Sequence, residues 1–406
     1  MKIIAFIFFL CLIHDLTAQN NYVVIMKDQF EVPVIRNRAN NTDREMQNND
    51  NRPAREKKLS HLDGFMKSKG VSSNNGRFVD GGVGFEALLS PEQADELRND
   101  PNVDGVYEDF SVQGIPIQQG IPIQQGIPIQ QSWNYNESTK ASCAVDLIGG
   151  PANSNNRSES IWILDTGIDK NHPDLKVNAK NTIAVSFVKG ENATDDFAGH
   201  GTHCAGIAAG KGIGQLGCNG VSSGAEVIPV KVLDRNGQGS WSNILKALDH
   251  IAKFGKAGDV IMMSLGGYDI SSCENSNPPL VAAIRELAAH GIFIVMSAGN
   301  DHGDANINLP GCINGPNVFT VAALDFTCST GISGCASYSN YGQPAVDWVA
   351  PGSNIFSTWP DRKYMVMSGT SMACALVAGI IHARNGEPAV GGSFSCNGVT
   401  YRIPSR

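Results

Sequence analysis

Positive charge is scarce in this chain: 31 Lys and Arg stand against 39 Asp and Glu, for a formal charge of −8. Phosphate backbones and anionic lipid surfaces demand clustered basic residues, so neither nucleic acid nor a membrane is an expected partner. Nor does any segment reach the ~18 consecutive apolar residues that a membrane helix needs. The zincin pattern HExxH and the repeated CxxC of a structural zinc site are both missing. What is present is 406 residues, 42% of them hydrophobic, enough at ~100–200 residues per domain for two or three domains with full cores.

Lys2 precedes an apolar run from Ile3 to Ile13. The run is too short to span a bilayer but has the charged start and apolar middle of a secretory signal, which predicts a leader over residues 1–18 cut near Ala18–Gln19 and a soluble, secreted, monomeric product. Export makes disulfides the expected fate of most cysteines. Cys11 leaves with the leader and the remaining nine of the ten cannot all pair with one another, so at least one thiol is expected to be free. Only Cys328 with Cys335, across the loop Ser329–Gly334, is locally favoured.

Charge density divides the remainder. Residues 20–112 are about 30% charged and residues 113–406 about 14%, which predicts two differently built units. In the first, strands at Tyr22–Met26, Gly84–Leu89 and Val103–Tyr107, a helical pattern around Leu59, Leu62, Phe65 and Met66, and a helix opened by Ser90 give a βαββαβ-like order, hence a small α+β domain over 19–112. Residues 114–131 are three identical copies of Gly-Ile-Pro-Ile-Gln-Gln. Three copies are too few to stack into a β-helix, and each proline removes a ladder donor, so residues 113–132 read as an extended linker. Over 133–406, short apolar runs at Ile161–Leu164, Val227–Leu233, Val260–Leu265, Ile292–Met296 and Val318–Leu324 alternate with amphipathic helical patterns. That alternation predicts an α/β domain with a mostly parallel sheet covered by helices on both faces, whose chemistry lies beyond the carboxyl ends of the strands.

Those ends carry reactive side chains. Asp165 follows the first of these runs directly. His200 and His203 lie in the Gly- and Ala-rich stretch GHGTHCAG; as a pair they could be metal ligands, but a single imidazole acting as general base, oriented by Asp165, explains them without a metal. Ser371, in Gly369-Thr-Ser-Met-Ala373, heads a helix predicted to run to about Ala383, where its N–H and the helix dipole would favour a developing oxyanion. Asn300 ends the stretch SAGN and could give a second oxyanion donor. Ser264-Leu265-Gly266-Gly267 offers backbone suited to an extended peptide.

Taken in order, LDTGID, GHGTHCAG, SLGG, SAGN and GTSMA resemble the subtilisin-like serine peptidases, most closely the proteinase K-like branch. The resemblance implies a serine endopeptidase acting on protein or peptide substrates, with Asp165 orienting, His200 as base then acid, Ser371 as nucleophile, Asn300 as oxyanion donor and Ser264 to Gly267 lining the pocket before the scissile bond. It implies that residues 19–112 are an inhibitory propeptide removed in or beside the repeat tract, that Cys204 is a buried free thiol, and that Pro316 and Val318 carbonyls with Asp347 bind a structural calcium, no catalytic metal being required. Two departures stand out. Cys374-Ala375-Leu376 replaces the family's usual Ser or Thr followed by Pro-His, and only 35 residues follow Ser371, with Cys396 in a polar tail where the family has further helices. A catalytically weak binding protein is the rival reading, though no triad member is substituted; an α/β-hydrolase esterase would order its triad Ser, acid, His.

Overall fold

The computed structural model describes residues 19–27, 47–79, 83–114, 118–123, 134–213, 216–268, 273 and 277–406. The predicted leader lies outside them, as does much of the repeat tract. The chain divides into two compact units, residues 1–110 and 111–406. None of the described helices is long and apolar enough to cross a membrane.

The first unit has the expected βαββαβ-like order, with one strand, β2, that the sequence reading did not locate: β1 (Asn20–Met26), α1 (Gln47–Ser68), β2 (Ser73–Phe78), β3 (Gly84–Leu89), α2 (Pro91–Arg98) and β4 (Val103–Glu108). Its sheet runs β2-β3-β1-β4, with antiparallel neighbours. Val24, Phe85, Ala87, Leu89 and Val106 from the strands pack with Leu62, Phe65, Ala94 and Leu97 from the helices. Helix α1 starts well before the apolar pattern that announces it, because its first turns carry no apolar residue to set a period.

The second unit is built on an eleven-stranded sheet. Its principal strands are β7 (Ser160–Asp165), β8 (Glu226–Lys231), β10 (Val260–Met263), β12 (Phe293–Ser297), β13 (Val318–Thr327), β14 (Gly331–Cys335), β15 (Trp348–Pro351), β18 (Ala389–Cys396) and β19 (Val399–Ser405). In space the order is β8-β7-β10-β12-β13-β15-β19-β18, parallel throughout except for the β18–β19 hairpin, with β14 turning back antiparallel on β13. Every residue of β7 and β10 is buried, as a parallel sheet covered on both faces requires. The longer helices of this unit among the described residues are α3 (His200–Ala209), α4 (Trp241–Phe254), α5 (Pro278–Ala289) and α6 (Thr370–Arg384). Smaller sheets hold β5 (Ser111–Gly114) between β9 (Gln238–Ser240) and β11 (Leu265–Tyr268), and β6 (Gln118–Ile123) beside the hairpin β16 (Ile355–Trp359) and β17 (Lys363–Ser368).

The cysteines correct the expected local pairing. Cys328 bonds Cys143, Cys335 bonds Cys396 and Cys273 bonds Cys312. Cys335 sits opposite Leu324 on the β13–β14 ladder while Cys328 lies beyond Thr327 at the turn. Four residues of strand put the two ~13 Å apart, outside disulfide reach. Cys204, Cys218 and Cys374 are the free thiols among the described residues, all buried. The stretch around Cys396 read as a polar tail is a strand of the sheet instead, anchored by Tyr401, which is buried and whose hydroxyl oxygen accepts from Gly342 N at 2.8 Å.

Candidate active site

Strands β7, β10 and β12 run parallel and in register, with Leu164, Met263 and Met296 abreast. The next positions, Asp165 and Ser264, and the loop Ala298–Asn300 after β12 therefore emerge together at the carboxyl ends. The spatial order reverses at β7, which has β8 on one side and β10 on the other; a crevice at such a reversal is where an open α/β sheet holds its ligands.

Asp165 is fully buried and both its carboxylate oxygens accept from His200 Nδ1, at 2.7 and 2.8 Å. Since a carboxylate can only accept, Nδ1 carries the proton and Nε2 is left as the basic nitrogen. Thr166 N also donates to Asp165 Oδ1 at 2.7 Å. Burial opposes the charged imidazolium, but the Asp165 carboxylate beside it outweighs that effect and holds the His200 pKa well above its ordinary 6.5. His203 does not join this site: its Nε2 donates to Met365 O at 3.0 Å and burial depresses its pKa to about 3, so the paired-histidine metal site does not form. Asp165, His200 and Cys204 do have ligand atoms within 4.8 Å of one another, a donor set open to a soft metal ion.

Asp196, which sequence reasoning passed over, ties this pair together. Its carboxylate accepts from Thr202 N at 2.8 Å, Thr202 Oγ1 at 2.6 Å, Gly199 N at 2.8 Å and Thr166 Oγ1 at 2.7 Å, while Thr166 Oγ1 accepts from Gly201 N at 3.0 Å. The turn after β7 and the first turn of α3 are thereby locked to each other. Its only signal in the sequence is an acidic residue four positions before His200.

Ser371 is buried in the first turn of α6, whose N-cap Gly369 makes no side-chain cap. The helix start is therefore left to groups from other segments. The Ser371 hydroxyl donates to Ser264 O at 3.5 Å, and Ser264 Oγ donates to Ser371 O at 3.2 Å. The structure thus joins Ser371 to Ser264 and His200 to Asp165; a turn about one side-chain bond redirects the Ser371 hydroxyl, and such bonds commonly tighten only with substrate in place.

Asn300 Oδ1 accepts from Thr370 N at 2.9 Å and Thr370 Oγ1 at 3.0 Å. That fixes the amide with its NH₂ on the opposite side, where a Cβ added at Gly369 would come within 3.1 Å of Nδ2. Glycine at 369 keeps the space before the amide open. The loop is held from afar: Asn340 Nδ2 donates to Ala298 O at 3.0 Å and Asn308 Nδ2 to the same oxygen at 2.6 Å, contacts that no local motif announces. Gly299, at φ 108, has no room for a side chain against Asn340.

Of the predicted groove residues, Ser264 lies between β10 and β11, and Leu265, Gly266 and Gly267 lie on β11. A Cβ at Gly266 would stand 3.0 Å from Leu309 O and one at Gly267 3.3 Å from Ser111 O, so the glycines admit backbone on either side. Cys374, Ala375 and Leu376 are all fully buried in α6, which explains why this departure from the family pattern is apolar.

Elsewhere, the turn Gly315–Val318 closes through Val318 N donating to Gly315 O at 3.2 Å. Asp347, just ahead of β15, accepts from Thr320 N through Oδ2 at 2.8 Å, and burial raises its pKa to about 6. A carboxylate destabilised in its charged form by burial is the kind of oxygen ligand that fits a hard cation.

Residues 156–384 match the model of the Subtilase family. The alkaline serine protease ver112 of Corniculantispora psalliotae is 33% identical over 304 residues, covering 73% of this chain and 70% of that protein. A cuticle-degrading protease of Metarhizium anisopliae is 34% identical over 73% of this chain and 69% of its own length. Proteinase T of Parengyodontium album is 37% identical over 54% of this chain and 68% of its own length. With an α/β sheet that gathers a buried aspartate–histidine pair and a helix-borne serine at its carboxyl edge, and with these matches, the chain belongs to the subtilase family and is a subtilisin-like serine endopeptidase.

Proposed function

We propose that the chain is the secreted zymogen of an endopeptidase acting through an acyl-enzyme at Ser371, and that its own site severs the linker 113–132 to release an inhibitory propeptide, residues 19–112. The observation that carries this reading is the buried Asp165–His200 pair, in which Nδ1 carries the proton and Nε2 is the basic nitrogen, together with Ser371 in the first turn of α6. His200 Nε2 takes the Ser371 proton as Oγ attacks the scissile carbonyl. The resulting oxyanion is held by Ser371 N–H and the Asn300 amide. His200 then gives that proton to the departing amine as the C–N bond breaks, and water, deprotonated by the same nitrogen, adds to the acyl carbon and releases Ser371. Ser264 to Gly267 hold the substrate main chain before the cut. Three disulfides among the described residues suit the oxidising compartment of a secreted protein. Asp347 with the Pro316 and Val318 carbonyls holds a calcium ion that stabilises the fold.

Ser371→Ala tests the reading. Secreted from a host lacking other proteases, it should remain full-length after leader removal, and added active enzyme should then mature it in trans. A variant that matured unaided at the parental rate would assign the cut to another protease.

A further inference from the structure

The linker is held by main-chain ladders on both sides of the nucleophile. Upstream, Ser111, Val112 and Gln113 of β5 lie opposite Ser240, Gly239 and Gln238, while Gln113 and Gly114 lie opposite Gly266 and Leu265. Leu265 adjoins Ser264, the residue that accepts from the Ser371 hydroxyl. Downstream, β6 runs antiparallel to β17, with Gln118 opposite Ser368, Ile121 opposite Val366, Pro122 opposite Met365 and Ile123 opposite Tyr364. Ser368 itself is three residues before Ser371. The facing ends of the two strands, Gly114 and Gln118, are thus both paired to neighbours of the nucleophile, and the four peptide steps between them span at most ~14 Å.

Strand β17 has β16 along one edge and β6 along the other. Once the linker is cut and withdrawn, the second edge presents main-chain donors and acceptors from Tyr364 to Ser368, a template for an added strand that begins beside Ser371. We propose that this edge is an extended subsite for the polypeptide on the leaving side of the scissile bond, taking a strand of six residues, the length of β6, with the repeat tract as its first occupant. The inference rests on the endopeptidase reading of the same site.

The repeat suits this edge in two respects. Its proline falls opposite Met365, whose carbonyl already accepts from His203 Nε2 at 3.0 Å, so the missing proline N–H is not called on there. The period of six is even, so a slip by one copy keeps every side chain on its own face. It would bring Gln124–Ile129, identical in sequence to Gln118–Ile123, into the same positions. The subsite is therefore expected to read main chain and extension, with proline tolerated at one fixed position.

Mature enzyme is assayed on substrates that share one sequence before the cut and continue with a 4-nitroanilide, two residues or eight residues. The eight-residue substrate should exceed the two-residue one in kcat/KM about tenfold or more, as several main-chain hydrogen bonds can supply. Methylating the main-chain nitrogens beyond its second leaving-side residue should erase the gain. The free peptide Gln-Gln-Gly-Ile-Pro-Ile should inhibit cleavage of the long substrate and leave the anilide unaffected. In the zymogen, deletion of one copy, residues 120–125, should leave the rate of maturation unchanged. Equal kcat/KM for two and eight leaving-side residues, or a gain that survives methylation, would overturn the subsite while leaving the peptidase intact. Anilide hydrolysis undiminished in Ser371→Ala would instead remove the endopeptidase reading and the subsite with it.

Discussion

At the start of α2, the Ser90 hydroxyl accepts from Gln93 N at 3.3 Å and Gln93 Oε1 accepts from Ser90 N at 3.0 Å, a reciprocal cap that satisfies the helix locally. At the start of α6 the N-cap is Gly369, without a side-chain bond, and Ser371 sits inside the first turn with its hydroxyl turned toward Ser264. The same residue type closes one helix end and leaves the other open. An uncapped start forgoes about 0.5–2 kcal/mol, a loss offset by burial, since every α6 residue from Thr370 to His382 is buried. Helix α3, which brings His200, also begins at a glycine with no side-chain cap. The first N–H groups of α3 and α6 are met by side chains from other segments, Asp196 and Thr166 at α3 and Asn300 at α6, whereas α2, α4 and α5 are closed by their own N-cap residues, Ser90, Ser240 and Asn277.

Asn300→Asp should sharpen this contrast most. It preserves the acceptor that holds Thr370 N and removes the donor that faces the open helix start. A fall in kcat of about 10²–10³, typical when a serine peptidase of this kind loses one oxyanion donor, is expected with an unchanged melting temperature. A fall below tenfold would mean that the α6 N–H groups suffice alone.

Calcium comes next in size. A ligand bound only by the folded state at a hundredfold excess over its Kd stabilises by about 2.7 kcal/mol, so chelation should lower Tm in the parent and have little effect in Asp347→Ala. The folded pKa of Asp347, about 6, lies above its ordinary 3.8. Its ionisation therefore destabilises the calcium-free fold as pH rises through about 6, and chelation should lower Tm more at about pH 8 than at about pH 5. A chelation effect that is the same at both values, or the same in Asp347→Ala, counts against the site.

The acid limb of kcat/KM should fall about tenfold per pH unit below the His200 pKa, because only the neutral imidazole can take the Ser371 proton. Its midpoint should lie above the ordinary 6.5, since the Asp165 carboxylate favours the imidazolium despite burial. A limb centred below 6.5 would mean that burial prevails. Smallest of all, Ser90→Ala should cost the first unit about 1 kcal/mol and leave the kcat of mature enzyme unaltered, in contrast to changes at the start of α6.

What could be read in the sequence was whatever the backbone announces locally. Alternating apolar runs located β7, β8, β10, β12 and β13; short glycine-flanked motifs marked Asp165, His200, Ser264, Asn300 and Ser371 at strand or helix ends. Contacts made across the fold were not legible. Cys143 and Cys328 are 185 residues apart, and a short loop made Cys335 look the nearer partner until the hairpin register separated the two. Asp196, Asn308 and Asn340 work by hydrogen-bonding backbone of other segments, so nothing beside them in the sequence betrays them. The repeat tract read as a linker because its prolines cannot donate, yet β6 forms where one proline faces a carbonyl already occupied by His203.

That Ser371, at the start of α6, is the nucleophile is a proposal that can be tested directly. Mature enzyme should be titrated with an irreversible organophosphorus reagent that phosphonylates activated serines, then digested and mapped by mass spectrometry. Stoichiometric inactivation is expected with the label on Ser371 alone, at a rate that falls as pH is lowered and His200 becomes protonated. Full inactivation with the label on any other serine, or full labelling of Ser371 with activity retained, would contradict it.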